Sequence, residues 1–284
     1  MDWYPAPAKL NLFLHVLGRR EDGYHLLQTV FRLIDWSDSV GIAITDDGRI
    51  RRVDETAGID AGSDLCLRAA RLLRQCAGDR LGTGATPGVD IGLQKRLPIG
   101  GGLGGGSSDA ATVLLVLNRQ WNLNFSRAEL MRFGLALGAD VPFFLFGENA
   151  LGEGVGERLS ALSLPPAWYL VLTPQVSVST KEIFSSCALT RDGKPLKMLP
   201  FLPGSGRNDL QVVATTLYPD IGAHLDWLLQ HADARMTGSG ACVFAEFGTE
   251  AKARKVEARL QGGMQGCVAR GLDRHPLLDW AADA

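Results

Sequence analysis

Between Gly100 and Gly106 six of seven residues are glycine, and the run passes through Ser107-Ser108-Asp109 into Ala110-Ala111-Thr112-Val113-Leu114-Leu115-Val116-Leu117. Glycine lets a backbone take positive φ and approach a ligand closely, and the apolar stretch that follows reads as a buried helix. Its first turn offers unpaired N–H groups and the positive end of a dipole, so the two halves together predict a phosphate cradle. Ser107 and Ser108 supply hydroxyls where such a helix needs a cap. A flexible linker would be richer in serine, asparagine and charge, and would not run at once into an apolar helix.

The cradle belongs to neither of two large nucleotide-binding classes. No Gly-x-x-x-x-Gly-Lys-Ser/Thr occurs, which excludes a Walker-type loop, and no His-Arg-Asp or Asp-Phe-Gly marks a protein kinase. Gly100, Gly102 and Gly105 satisfy Gly-x-Gly-x-x-Gly, but so dense a run satisfies almost any glycine pattern. About 20 residues on, where a dinucleotide fold needs an acid for the ribose, the chain reads Trp121-Asn122-Leu123-Asn124-Phe125. That weighs against NAD.

With 284 residues and 46% hydrophobic content the chain can build one large domain or two of moderate size. Net charge is −2 and no Lys/Arg cluster exceeds Lys95-Arg96 or Arg49 to Arg52, so no nucleic-acid partner is expected. No apolar run is long enough for a membrane span and no leader precedes the first strand, so the expectation is a cytoplasmic protein without a membrane partner. The five cysteines, Cys66, Cys76, Cys187, Cys242 and Cys267, are widely spaced and without a Cys-x-x-Cys pair, and read as small core residues.

From Ala8 to Leu17, Lys9, Asn11 and His15 alternate with Leu10, Leu12 and Leu14, the period of a half-buried strand, on which a lysine would ordinarily point to solvent. A glycine turn over 18–23 follows, then extended stretches near 29–34, 40–45 and 49–53, a helix over 64–76 capped by Ser63 or Asp64, and a strand over 89–94 feeding the cradle. Helices are predicted over 107–121 and, behind the Ser126/Glu129 capping box, from 126 to Gly138. Asp140, just before Pro142, falls on an irregular segment. Gly152 to Gly156 and Leu164-Pro165-Pro166 suggest a boundary between about 150 and 166, which gives domains 1–157 and 158–284. Beyond it strands at 168–173, 241–247 and 265–269 interleave with helices at 209–217, 221–230 and 250–260, an α/β or α+β sandwich.

Three further segments are polar or glycine-bearing where packing gives no reason for it: Pro7-Ala8-Lys9-Leu10-Asn11, Gly138-Ala139-Asp140-Val141-Pro142, and Thr237-Gly238-Ser239-Gly240-Ala241. With the glycine run, and with Asp22-Gly23-Tyr24-His25, they resemble the ordered motifs of the small-molecule kinase superfamily that phosphorylates galactose, homoserine, mevalonate and phosphomevalonate. The resemblance spans nearly the whole chain. It implies an α+β fold of two lobes, an N-terminal mixed α/β nucleotide-binding domain and a C-terminal ferredoxin-like α/β sandwich, with the substrate between them.

It also implies an activity: ATP-dependent phosphorylation, with Mg²⁺ expected, of a hydroxyl on a cytidyl diphosphate alcohol, a step of non-mevalonate isoprenoid (terpenoid precursor) synthesis by a monomer or homodimer. Asp140 would be the general base and Lys9 its cationic partner. For ATP the resemblance implies Lys95, Pro98, Ile99, Gly100, Gly101, Gly102, Leu103, Gly104, Gly105, Gly106, Ser107 and Ser108, with Ser107 the hydroxyl nearest to a metal ligand. For substrate it implies Asn11, Tyr24 against the cytosine ring, His25 on its hydrogen-bonding edge, Thr180 and Phe184, although Phe184 also reads as core and Thr180 as a turn residue. Thr237, Gly238, Ser239 and Gly240 form the third motif, which also reads as a turn opening a strand. Two positions depart from the pattern, Asp64 and Asp109, each where asparagine is expected. A mevalonate or homoserine kinase, a nucleotide-binding sensor without catalysis and, remotely, a dinucleotide oxidoreductase are the competing readings.

Overall fold

The computed structural model describes residues 1–54, 62–81, 87–196 and 204–283. Strands β1 (Asp2–Arg19) and β2 (His25–Thr45) form one long antiparallel hairpin, turned at Gly23 with φ of +89°. The two stretches expected at 29–34 and 40–45 are therefore a single 21-residue strand. Such a strand twists strongly, and register shifts at Pro7/Ala8, Asn11/Phe13 and Val16/Gly18 absorb the mismatch with its partner. One edge of β2 carries β1 throughout. Its other edge is shared by β5 (Ala150–Gly154), β10 (Gly266–Leu272) and β4 (Gly88–Gln94), with β3 (Ile50–Arg52) parallel to β4 and β6 (Arg158–Ala161) antiparallel to β5. The β5–β6 hairpin escaped the sequence reading because its glycines looked like punctuation. A Cβ on Gly152 would stand 2.6 Å from the Phe31 ring, so the glycine marks close strand packing.

β1 is not half-buried as its alternation predicts: residues 6 to 16 are all buried, because its apolar side chains enter several cores at once. Helix α2 (Gly105–Gln120) packs on β1 and β2, with α1 (Leu65–Ala77), α3 (Arg127–Leu135) and α4 (Val141–Phe146) around it. Asp64 caps α1, its Oδ1 accepting from the amides of Cys66 and Leu67, and the Ser126/Glu129 capping box opens α3 as predicted. One expectation is corrected here. α2 begins inside the glycines, with Gly104 at the N-cap and no side-chain cap, so Ser107 and Ser108 lie within its first turn and not ahead of it. Asp140 lies, as expected, on the irregular turn between α3 and α4, where it is the N-cap residue of α4 and Pro142 sits in the first helical turn and needs no N–H partner.

The second half of the chain supplies β7 (Trp168–Leu172), α5 (Thr180–Ser185), α6 (Gln211–Leu217), α7 (Pro219–Leu229), β8 (Ala234–Met236), β9 (Val243–Phe247), α8 (Glu250–Glu257) and β10, followed by a short 3-10 turn over Leu278–Trp280. These four strands lie in the spatial order β10-β7-β9-β8, every pair antiparallel. Renumbered within this half the order is 4-1-3-2, the ferredoxin-like arrangement. The cysteines are all free: Cys66 and Cys242 are buried, but Cys187 is exposed and not a core residue.

Asn149 joins the two parts of the sheet. Its Oδ1 accepts from the Leu33 amide of β2 at 2.9 Å, and its Nδ2 donates to the Leu272 carbonyl of β10 at 2.9 Å. Both backbone groups are left unpaired in Asn149→Ala, and an orphaned buried polar group costs about 1–3 kcal/mol. Urea denaturation of that variant is expected to show a loss of about 2–4 kcal/mol on this basis.

Candidate active site

The glycine loop is anchored from two sides. Lys9 of β1 donates its amide to the Leu103 carbonyl at 3.0 Å, while Ala241 and Cys242 donate theirs to the carbonyls of Gly100 and Gly101 at 3.2 and 3.1 Å. Gly102, at φ of +75°, lies against the third motif so closely that a Cβ would be 2.4 Å from the Thr237 carbonyl oxygen. The third motif is in turn held by Asn208, whose Nδ2 donates to the carbonyls of Met236 and Gly238, each at 2.8 Å. Nothing in the sequence around Asn208 signals that role.

A cleft of about 960 Å³ opens along this loop. Its walls include Pro98, Ile99, Gly100 to Ser107, Lys9, Asn11, Tyr24, His25, Lys95, Asp140, Thr180, Phe184 and Gly238 to Gly240, so nearly every site residue expected from the sequence meets in one place. Two do not reach it. Ser108 is fully buried, its amide donating to the Gly104 carbonyl at 2.9 Å and its hydroxyl to the Pro7 carbonyl at 2.7 Å. Thr237 is buried behind the loop, where its Oγ1 accepts from the Asn11 amide at 2.9 Å.

At the centre, Lys9 is 3% exposed and so is not the solvent-facing lysine its strand pattern suggests. Its Nζ lies 3.5 Å from Asp140 Oδ2 and donates to Asn11 Oδ1 at 2.5 Å. The Asn11 amide group donates to Thr29 Oγ1 at 2.8 Å, and Thr29 Oγ1 donates to the Phe13 carbonyl at 2.5 Å. This chain of bonds fixes the ammonium where a long side chain would otherwise sample many rotamers. The Asp140 side chain, 34% exposed, is the half of the pair that faces the open cleft.

At one end the His25 and Phe184 rings pack with centroids 4.9 Å apart and planes 32° apart, and Tyr24 stands 63% exposed beside them. Phe184 is thus a wall residue as well as a core contact, and Thr180 opens α5, bonded at 2.8 Å to Ser239 of the third motif. At the other end Lys95 Nζ donates to Asp38 Oδ2, and to Asp109 Oδ2 at 3.0 Å. Asp38 also accepts from the amides of Arg96 and Leu97 at 2.6 and 2.9 Å, pinning the strand just before the loop. Asp109 therefore bonds Lys95 and does not cap α2. Asp64, a further wall residue, is already spent on α1 and on Arg52 NH1 at 2.5 Å.

Burial, only partly offset by Lys95, pushes the Asp109 carboxyl up to about 7, and the nearby Asp38 carboxylate pushes the same way. Its Oδ1 has no hydrogen-bond partner among the described residues. An acid whose folded pKa lies above its unfolded value of about 3.9 stabilises the fold most at low pH and loses that contribution as pH rises through the folded value. Wild-type stability is thus expected to fall as pH rises from about 4 to 7, between the unfolded and folded values, and to level off above it. Asp109→Asn, neutral throughout, flattens that slope in urea titrations run across the same range; an unchanged slope would place the titration elsewhere.

Among the described residues no group of three or more His, Cys, Asp or Glu could hold a metal ion, and no helix is long and apolar enough to cross a membrane.

Family models for the N-terminal and C-terminal domains of GHMP kinases match residues 64–148 and 196–265. Over 280 residues, covering 99% of each chain, the sequence is 58% identical to the 4-diphosphocytidyl-2-C-methyl-D-erythritol kinase of Thiobacillus denitrificans. It is 56% identical over 281 residues to the kinase of the same name from Nitrosospira multiformis, covering 98% of this chain and 93% of that one. A crystal structure of a 4-(cytidine 5'-diphospho)-2C-methyl-D-erythritol kinase superposes with a TM-score of 0.79 at 34% identity, covering 95% of this chain and all of that one.

Proposed function

The chain belongs to the GHMP kinase family, and we propose that within it this protein transfers the γ-phosphoryl group of ATP to the 2-hydroxyl of 4-diphosphocytidyl-2-C-methyl-D-erythritol. The observation that carries the proposal is the run of the cleft: a glycine cradle, then a lysine–aspartate pair 3.5 Å apart, then an aromatic end suited to a flat base.

Phosphoryl transfer asks a protein mainly to align donor and acceptor and to neutralise moving charge. In this reading the amides from Ile99 to Ser107 cradle the phosphates at the start of α2, with Pro98 beside them as wall, and Lys95 flanks them. The acceptor hydroxyl lies between the phosphates and Asp140, which takes its proton as the oxygen attacks. Lys9, 3.5 Å from that carboxylate, offsets charge on the transferring group. Tyr24, His25 and Phe184 receive the cytosine, with Asn11 and Thr180 as further contacts. Ser107 would offer Mg²⁺ a hydroxyl beside phosphate oxygens and water, which suits an ion that keeps much of its hydration; the ion would screen the triphosphate charge. The same proposal divides the chain into units 1–157 and 158–284, and assigns it to the cytoplasm, where its donor ATP is drawn on and unpaired cysteines persist.

The test is ADP formation from ATP·Mg²⁺ with the cytidyl substrate, mevalonate or homoserine in parallel. Turnover is expected with the first alone. Equal turnover with mevalonate would overturn the substrate assignment, and tight nucleotide binding without turnover would favour a sensor. Tyr24→Ala is expected to raise the KM for the cytidyl substrate by about tenfold, the worth of a stacked base, while leaving that for ATP unchanged. A defect in ATP alone would remove Tyr24 from the acceptor end.

A further inference from the structure

His25 touches a cation that the sequence did not single out. Arg191 Nε lies 3.2 Å from His25 Nε2. A guanidinium nitrogen can only donate, so Nε2 must present its lone pair, and the one ring hydrogen of the neutral imidazole then sits on Nδ1. We propose that Arg191 is a positioning residue that holds His25 as its Nδ1–H tautomer, so that this end of the cleft prefers a base offering an acceptor there, cytosine, over one offering N–H, uracil. The proposal rests on the reading of the acceptor as a cytidyl compound and adds how the base is told apart.

Three observations support a fixed proton. First, Arg191 cannot swing away: its NH1 donates to the Leu189 carbonyl at 3.2 Å, and its NH2 to those of Phe184 and Ser186 at 3.1 and 2.7 Å. Those carbonyls lie at the end of α5 and just beyond it, so the loop that follows the helix carries the arginine to the histidine. Second, a doubly protonated ring would face a guanidinium with N–H against N–H. Burial, then the charges of Arg191 and Arg19, hold the His25 pKa below its ordinary value, which keeps the ring neutral near pH 7. Third, Nδ1 has no partner among the described residues although His25 borders the cleft, and Phe184 fixes the plane of the ring.

Cytosine N3 is an acceptor and pairs with Nδ1–H. Uracil carries a hydrogen on N3, so two donors would meet and one would go unpaired. A site built to bond one group rejects the analogue that cannot complete the bond. An arginine that merely braced the loop would weaken both bases alike.

The experiment compares wild type, Arg191→Ala and Arg191→Lys with the cytidyl substrate and its uridyl counterpart, alongside nitrogen-15 histidine spectra of the folded proteins. In the wild type the His25 signals are expected to report hydrogen on Nδ1. In Arg191→Ala the ratio of kcat/KM for cytidyl over uridyl substrate is expected to shrink by about tenfold, through KM for the cytidyl compound, with the KM for ATP unmoved. Arg191→Lys, which still donates, restores part of the ratio. Hydrogen on Nε2 in the wild type, or an equal loss for both bases in Arg191→Ala, would overturn the proposal. Should Arg191→Ala fail to fold, the wild-type spectrum and the lysine variant decide it. A wild-type enzyme that turns over neither cytidyl nor uridyl substrate overturns the functional reading instead, and the spectrum still decides where the proton sits.

Discussion

Asp140→Asn is expected to lower kcat by about 10³-fold while the dissociation constant for ATP stays within a few-fold, because a positioned base contributes about 10²–10⁴ to such a step. The substitution removes one capacity and little else. Asp140 makes no side-chain capping bond to α4, and asparagine is as good an N-cap residue, so the helix has no reason to move. Lys9 keeps its bond to Asn11 Oδ1. The glycine loop, whose amides carry the triphosphate in this reading, is anchored through its carbonyls by the amides of Lys9, Ala241 and Cys242 and not by Asp140. Single-turnover phosphorylation and calorimetry with a non-hydrolysable ATP analogue separate the two quantities. Turnover within tenfold of wild type would take Asp140 out of proton transfer.

Gly102→Ala should lose both fold stability and nucleotide affinity. A Cβ at this position would stand 2.4 Å from the Thr237 carbonyl oxygen and 2.9 Å from that of Gly240, both backbone atoms with no rotamer to yield. Holding a non-glycine residue at positive φ adds about 1–2 kcal/mol, and overpacking typically adds another 1–3, so a total near 3 kcal/mol is expected. Gly263→Ala is the control, since its φ is +91° but nothing lies within 4 Å of the added Cβ. It should cost about 1 kcal/mol, the backbone part alone. To relieve the clash, the loop must move away from the third motif, which takes its amides out of register with the phosphates. The KM for ATP is therefore expected to rise by about tenfold or more in Gly102→Ala and not at all in Gly263→Ala, the loss of about one charge-assisted hydrogen bond. Equal stability losses in the two variants would show that the carbonyl contact does not constrain the loop.

Much of the site is legible in the chain because it is written in short segments. The glycine run, Lys9-Leu10-Asn11, Tyr24-His25, Asp140-Val141-Pro142 and Thr237 to Gly240 each declare themselves within a few residues, and all reach the same cleft. The residues that orient them do not declare themselves. Asp38 is one acid among many in the sequence, yet it gathers Lys95 and the amides of Arg96 and Leu97 just before the loop. Thr29 lies inside an apolar strand, and Arg191 sits 166 positions from the histidine it holds. The serines mislead for the opposite reason: their capping propensity is real, but the helix starts earlier, inside the glycines, and that start depends on how the loop packs.

What the amino-acid order determined was local: the helix caps at Asp64 and Ser126, the conformational freedom of the loop, the apolar length of α2, and the family to which its motifs point. These follow from interactions between residues a few positions apart, where propensity and hydrogen-bonding chemistry act directly. Tertiary structure alone decided that residues 6–16 of β1 have no wet face, that Lys9 is buried within 3.5 Å of Asp140, and that Asn149 joins one part of the sheet to the other. Burial and charge pairing are properties of surfaces that meet only when distant segments pack, so no window of sequence contains both partners.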